Sequence, residues 1–258
     1  MKDTSFDGRA AKFANNIYGT SKGKVREAVL WHQLETRLLP ALPAGCRILD
    51  AGGGQGQMAM RIALAGHPVV LTDLSDEMLA MAAQRAGEQG VSDRFRFLQG
   101  PIQDLMSHQL GQFEAVLCHA VLEWCVDPKA VVAVLAQHIK PGGYLSLAFF
   151  NYQGAEMHNL VAGNFDNLGE AMTAKKTRRV RMVPQNPQRN EDVIRWLNEL
   201  GLTVEHQCGV RCIHDYLRDK SQQQTDLARL IELELEYCDK PLYREIGRYT
   251  HLLVRKPV

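Results

Sequence analysis

The 258-residue chain lacks most of the features that assign a protein quickly. No apolar run approaches the ~18 residues needed to cross a bilayer, which argues against a helical membrane protein. Charge of one sign is missing too: the net charge is +1 and the isoelectric point about 7.7. That is not the profile of a dedicated nucleic-acid binder, so any RNA affinity would have to come from local patches. There are no internal repeats, which excludes solenoids and propellers, and no low-complexity segment. The six cysteines (Cys46, Cys118, Cys125, Cys208, Cys212 and Cys238) contain no C-x-x-C pair. They read as reduced thiols, because a chain of this size needs no disulfide staples. Residues 1–12 are polar and lack the apolar core of a signal peptide, so the expected setting is cytoplasmic.

What is present is the composition of a soluble globular protein, 45% hydrophobic and 23% charged, with a mean hydropathy of −0.23. From Arg47 onward, short apolar runs alternate with amphipathic stretches, the signal of βαβ units. Strands are expected at 47–51, 68–73, 94–98, 113–118 and 144–150. Gly66 reads as a helix stop, Ser75 as a helix cap, and Asp127-Pro128 as a helix start. The strands are apolar on both faces, as in a parallel sheet covered by helices on both sides. The fold class is therefore α/β, a doubly wound Rossmann-like domain spanning 1–258. Residues 1–40 read as a helical preface. Residues 151–190 show no sustained periodicity and read as a basic cap inserted over the strand ends. Beyond it, a helix is expected at 191–200, a strand from Leu202, one long helix at 222–237 and a last strand at 248–254.

In open parallel sheets, ligands bind at the carboxyl ends of the strands where the strand order reverses. The first strand ends there in Asp50-Ala51-Gly52-Gly53-Gly54-Gln55-Gly56. Glycines allow a sharp turn and close approach of backbone to a ligand. Asp73 closes the second strand, where an acid can accept hydrogen bonds from both hydroxyls of a ribose. The glycine register Gly54, Gly56, Ala59 could be a dinucleotide fingerprint, but it starts too late after the strand. Asp50 would also repel a pyrophosphate, whereas it suits an ammonium group.

The string Leu49-Asp50-Ala51-Gly52-Gly53-Gly54-Gln55-Gly56 resembles the first signature of class I methyltransferases. Asp73 resembles that family's ribose-binding acid, and Gly100-Pro101-Ile102-Gln103-Asp104 its adenine-contacting loop. The resemblance implies a seven-stranded sheet with an antiparallel last strand and S-adenosyl-L-methionine as cofactor. It also implies cofactor contacts from Asp50, Gly52, Gly53, Asp73, Ile102, Gln103 and His119. Read from its position alone, His119 could equally be a packed structural residue.

A narrower resemblance covers nearly the whole chain. Asn16-Ile17-Tyr18-Gly19-Thr20-Ser21-Lys22-Gly23-Lys24-Val25-Arg26, Phe149-Phe150-Asn151, residues 157–166, Gly209-Val210-Arg211 and His214-Asp215-Tyr216-Leu217-Arg218 are similar to the bacterial tRNA 5-carboxymethoxyuridine methyltransferases. The similarity departs within the basic run, where Thr177 interrupts the cations. That family esterifies the carboxylate of a modified wobble uridine. By resemblance, Arg26 grips the methionine carboxylate of the cofactor. Tyr18, Lys22, Asn151, His158 and Arg211 are candidates to hold the acceptor. Each of these could also be an ordinary surface ion pair or structural contact.

The run from Lys175 to Arg181 has five cations in seven residues: Lys175, Lys176, Arg178, Arg179 and Arg181. It could follow the phosphates of a tRNA anticodon stem-loop without reading sequence. Tyr18, Tyr152 and Phe165 are possible stacking platforms for a splayed base. Two other functions fit the same sequence, a methyltransferase for a small acid and a non-catalytic cofactor-binding accessory protein. No metal is expected. His206, Cys208, Cys212 and His214 share even spacing, but not the usual tight zinc spacings.

Overall fold

The computed structural model describes Asp3, Gly8, residues 19–169, Met172 and residues 186–258. Thr20 opens α1 (Ser21–Gln33), its Oγ1 accepting the amide of Gly23 at 3.3 Å. β1 (Ile48–Ala51) leads through the glycine loop into α2 (Gln57–Leu64), and β2 (Val69–Asp73) into α3 (Asp76–Glu88). As expected, Ser75 caps α3, accepting the amide of Met78. β3 (Phe95–Gln99) and β4 (Phe113–His119) follow, then α4 (Pro128–Gln137) with proline at its first position and Asp127 capping it through Ala130 N at 2.9 Å. β5 (Ile139–Phe150), α5 (Tyr152–Val161), α6 (Asn190–Glu199), β6 (Thr203–Val210), α7 (Gln222–Thr225), α8 (Leu227–Tyr237), α9 (Pro241–Glu245) and β7 (Tyr249–Arg255) complete the described elements.

The seven described strands form one sheet in the order β3-β2-β1-β4-β5-β7-β6. Among them only β7 is antiparallel to its neighbours, pairing Phe150 with Tyr249 on β5 and Val210 with Tyr249 on β6. The chain winds outward from β1 to β3, then returns to the other side of β1 for β4, so the switch point lies between β1 and β4. Both sheet faces are covered. Ile48 packs in the core shared with α1, α2, α3 and α8, and its neighbour Leu49 in the core shared with α4 and α6. Successive strand side chains point to opposite faces, so both must be apolar here.

Three expectations are corrected. The segment after Phe150 is not unpatterned: α5 forms because Asn151 caps it and Tyr152, Gly154 and Ala155 pack inward. The long helix is two, broken at Asp226, whose backbone leaves helical angles while its carbonyl accepts the amide of Leu230. β5 starts at Ile139 rather than Tyr144, because a register shift opposite Phe113 and Ala115 absorbs Lys140-Pro141-Gly142-Gly143 into the strand.

Candidate active site

A cavity lies where the topology places it, at the carboxyl ends of β1, β2, β3 and β4. Arg26, Asp50, Gly52, Gly53, Asp73, Ile102, Gln103 and His119, the residues expected to hold a cofactor, all line it. Local geometry explains each placement. Gly52 has φ +72°, and a Cβ there would sit 2.6 Å from Val121 Cγ2. At Gly53 a Cβ would lie 2.3 Å from Leu71 Cδ1 and 2.5 Å from Asp50 Oδ2. The loop is also tied to β2 by the amides of Gly52 and Gly53, which both donate to Thr72 O, at 2.8 and 3.0 Å.

Asp73 organises the floor. Its Oδ2 accepts the amide of Gly54 and its Oδ1 that of Ser75, each at 2.8 Å. Each carboxylate oxygen can accept a further hydrogen bond from a hydroxyl donor. Asp50 is 2% exposed. Burial pushes its carboxyl up to about 7, with repulsion from Asp73 adding to the shift. A cation placed beside it would restore its charge.

At the end of β4, His119 shares a chain of buried polar groups. Its Nε2 and the Nε2 of His251 each lie 2.8 Å from Ser146 Oγ. Burial, reinforced by Arg26, drives the imidazole of His119 down to about 3, so it is neutral at physiological pH. Its Nδ1 is shielded and has no hydrogen-bond partner among the described residues, and neither has Gln103 Oε1. Gln103 Nε2 donates to Asp3 Oδ2 at 2.8 Å, while Asp3 Oδ1 accepts the amide of Val126 at 2.7 Å. Asp3 thus bridges one rim of the cavity, a role with no local signal in the sequence. Unsatisfied polar atoms at both ends, a carboxylate pair on the floor and a backbone cradle fit an elongated ligand with a cation, a diol and a purine.

The expected acceptor-holding residues separate. Asn151 is fully buried and its side chain is spent on architecture. It caps α5 through Gln153 N at 3.1 Å and donates to Glu245 O at 2.8 Å and Gly247 O at 2.9 Å. No donor remains for a ligand, which corrects its assignment. Tyr152 is 5% exposed with Arg189 Cζ 3.7 Å above its ring, so it offers no face to a base. Phe165 is 67% exposed. Tyr18, Lys175, Lys176, Arg178, Arg179 and Arg181 lie outside the described residues.

Lys22 lies in the field of His158, and Arg211 reaches the same neighbourhood through Asp215. Lys22 and Arg26 stand four residues apart on α1 and so on one helix face. Half-buried His158 lies in the field of Arg248, Asp215, Lys220 and Lys22; burial first, then Arg248, lowers its imidazole below the usual range. Arg211 pairs with Asp215. Ser21 Oγ, at the start of α1, lies 2.9 Å from His214 Nε2, and His214 Nδ1 3.3 Å from Asp215. The same helix therefore presents Arg26 to the cavity and Lys22 to an adjoining cationic cluster. Sequence reasoning missed Glu123, Arg248 and Tyr249. Glu123 is 2% exposed, and burial pushes its carboxyl up to about 7 against the pull of Arg26.

The evenly spaced zinc candidates are split. Cys212 Sγ lies 3.2 Å from Glu234 and His214 binds Ser21 and Asp215. His206 and Cys208 meet Asp239 instead, with ligand atoms within 4.8 Å of one another. Asp239 is already paired with Arg37 at 2.8 Å and His206 at 3.0 Å.

Residues 49–147 match the family model described as a methyltransferase domain. The chain is 46% identical over 257 residues to the tRNA 5-carboxymethoxyuridine methyltransferase of Escherichia coli strain K12, covering 100% of this chain and 98% of that one. It is 32% identical over 174 residues to a ubiquinone biosynthesis O-methyltransferase of Xanthomonas axonopodis pv. citri, covering 65% and 67% of the two chains. Among solved structures, magnesium protoporphyrin IX methyltransferase from Synechocystis PCC 6803, with bound SAH, superposes with a TM-score of 0.67 at 15% identity. That superposition covers 97% of this chain and 96% of the other, and establishes the shared fold. Cavity, topology and full-length similarity agree: the chain belongs to the S-adenosylmethionine-dependent tRNA 5-carboxymethoxyuridine methyltransferase family.

Proposed function

We propose that this protein methylates the carboxylate of 5-carboxymethoxyuridine at the wobble position of tRNA, forming the methyl ester. One observation carries the reading: a cationic cluster adjoins the Arg26 end of the cofactor cavity, on the same face of α1. Such a cluster suits an anionic acceptor. When bound, S-adenosylmethionine supplies an electrophilic methyl group on a sulfonium. A carboxylate oxygen has a lone pair that could accept that methyl, with the carbon–sulfur electron pair remaining on sulfur.

A carboxylic acid is ionised at pH 7, so the residues need not remove a proton. The site fits that economy, since His119 is held neutral and hydrogen-bonded rather than poised as a base. Arg26 would hold the methionine carboxylate and Asp50 the ammonium group. Asp73 would hold the ribose hydroxyls, and Ile102 with Gln103 the adenine. Gly52 and Gly53 bring backbone close, and His119 borders the methionine end. The work left to the protein is to align the acceptor oxygen and exclude water. We further infer that the anticodon stem-loop is the part of tRNA engaged, with Lys175, Lys176, Arg178, Arg179 and Arg181 following its phosphates from the segment within 151–190. Lys22, His158 and Arg211 belong to the acceptor side.

The test uses tRNA from cells lacking this protein, incubated with enzyme and S-adenosylmethionine, then digested for mass spectrometry. A methyl-sized mass gain on 5-carboxymethoxyuridine, removed by mild base, is the expected result. No gain from enzyme that binds the cofactor would overturn the reading and direct the search to small carboxylic acids.

A further inference from the structure

The cofactor cavity accounts for Arg26 but not for two more guanidinium groups packed on the same aromatic pair. Arg26 Cζ lies 5.7 Å and Arg211 Cζ 6.0 Å from the ring centroid of Tyr249. Arg248 Cζ lies 4.9 Å from the centroid of Phe150, and the two rings meet edge to face at 5.5 Å. The antiparallel return of β7 creates this arrangement by placing Tyr249 opposite both Phe150 and Val210. Arg211 follows directly after Val210, and Arg248 directly precedes Tyr249.

Charge around the pair is unbalanced. Asp215 is the shared counter-ion, paired with Arg211 and 3.7 Å from Arg248 Nε. The same carboxylate also serves His214. Lys220 Nζ donates to Asp215 O at 2.8 Å, and Lys22 adds its field at His158. The Asp215 carboxylate thus serves Arg211, Arg248 and His214, Lys220 and Lys22 add positive charge nearby, and Glu123, which accepts the amide of Phe150, is the other acid beside the pair. Buried cations are normally matched by an anion and fully hydrogen-bonded. Here Arg211 Nε and Arg248 Nε are both shielded and make no hydrogen bond among the described residues, although Arg248 Nη1 donates to Gly154 O at 3.3 Å. The side chains remain 11% and 15% exposed, so their edges reach the surface. Arg211 also holds a left-handed φ of +62°, which a non-glycine residue adopts only when its surroundings impose it.

We propose that Arg211 and Arg248 form a two-guanidinium clamp for the carboxylate of the methyl acceptor. The identity of the acceptor rests on the proposed function; its negative charge rests on the cluster alone. Paired guanidinium groups match the planar carboxylate. Methylation converts that anion into a neutral ester, which removes the charge the clamp holds and favours release of product over substrate.

Three anticodon stem-loops carrying the same phosphates test this, with the wobble uridine as the 5-carboxymethoxy acid, as its methyl ester, or unmodified. Binding is measured with S-adenosylhomocysteine present. The acid form should bind wild-type protein at least ~10-fold more tightly than the other two, the yield of one charge-assisted pair. Arg211→Gln and Arg248→Gln should each bring the three affinities together while leaving S-adenosylhomocysteine affinity unchanged. Arg248→Lys should recover part of the discrimination. Equal binding of all three RNAs by the wild type, or no binding of any, would overturn the clamp without needing a variant to fold. Equal loss across all three RNAs in the variants would assign the cluster to RNA phosphates and also overturn it. Discrimination for the acid without methyl transfer to it would sink the proposed function and leave the clamp standing.

Discussion

Gly53 stands where no larger residue fits without moving either Leu71 or Asp50. Gly53→Ala is therefore expected to cost about 1–3 kcal/mol of stability, the usual range for overpacking. It should also weaken cofactor binding, because Asp50 is one of the two side chains the new Cβ meets. Urea denaturation and calorimetry on the same preparation would check both, and wild-type affinity in the variant would contradict the cradle. Asp50 and Glu123 carry a pH signature. Burial raises each carboxyl to about 7, well above the ordinary carboxylate range near 4. Their stabilising contribution is complete below that range and is lost as pH rises through about 7. Set against Asp50→Asn, a comparison in which the opposing effects of neutral His119 and His251 cancel, the Tm of the free protein should accordingly fall between about pH 4 and pH 7. The increment added by S-adenosylmethionine, whose ammonium meets ionised Asp50, should grow over the same interval. A cofactor increment independent of pH would remove Asp50 from that role.

At the scale of elements, α1 connects fold to site. Val25, Val29 and Leu30 bury it in the core, while Arg26, one turn before Leu30, lines the cavity beside it and Lys22 stands exposed one turn earlier. Its start is held by Thr20 and by the contact of Ser21 with His214. Removing an N-cap costs about 1 kcal/mol. Thr20→Ala should lose about that much stability and weaken S-adenosylmethionine binding as well, since the first turn positions Arg26. Stability lost with affinity retained, seen by denaturation and calorimetry, would show that Arg26 does not depend on the cap. The glycine loop and the strand-end acids were legible because a strand, a tight turn and a helix cap are each encoded within a few residues. Asn151 was misread for the opposite reason. Its carbonyl partners, on Glu245 and Gly247, come from the far end of the chain, and nothing near it announces them.

At the scale of the whole molecule, the overall charge is nearly neutral while cations concentrate beside the cavity and in the Lys175–Arg181 run. Replacing Lys175, Lys176, Arg178 and Arg179 by alanine should raise KM for tRNA steeply and leave cofactor affinity unchanged. The dependence of log KM on log salt should also flatten, by roughly 0.7–0.9 for each phosphate no longer neutralised. Unaltered tRNA kinetics and salt slope would place the RNA path elsewhere.

The apolar alternation of the chain was enough to specify a doubly wound sheet, its glycine loop and the acids at its strand ends. Those features depend on backbone preferences and burial patterns acting over short stretches. The assembly of Arg211, Arg248, Asp215, His158 and Lys22 around Phe150 and Tyr249 depends on other information. It requires β7 to return antiparallel between β5 and β6 and α1 to pack across the strand ends. A buried charge cluster is defined by which distant residues share a dielectric and a counter-ion, and that is a property of packing in three dimensions rather than of order along the chain.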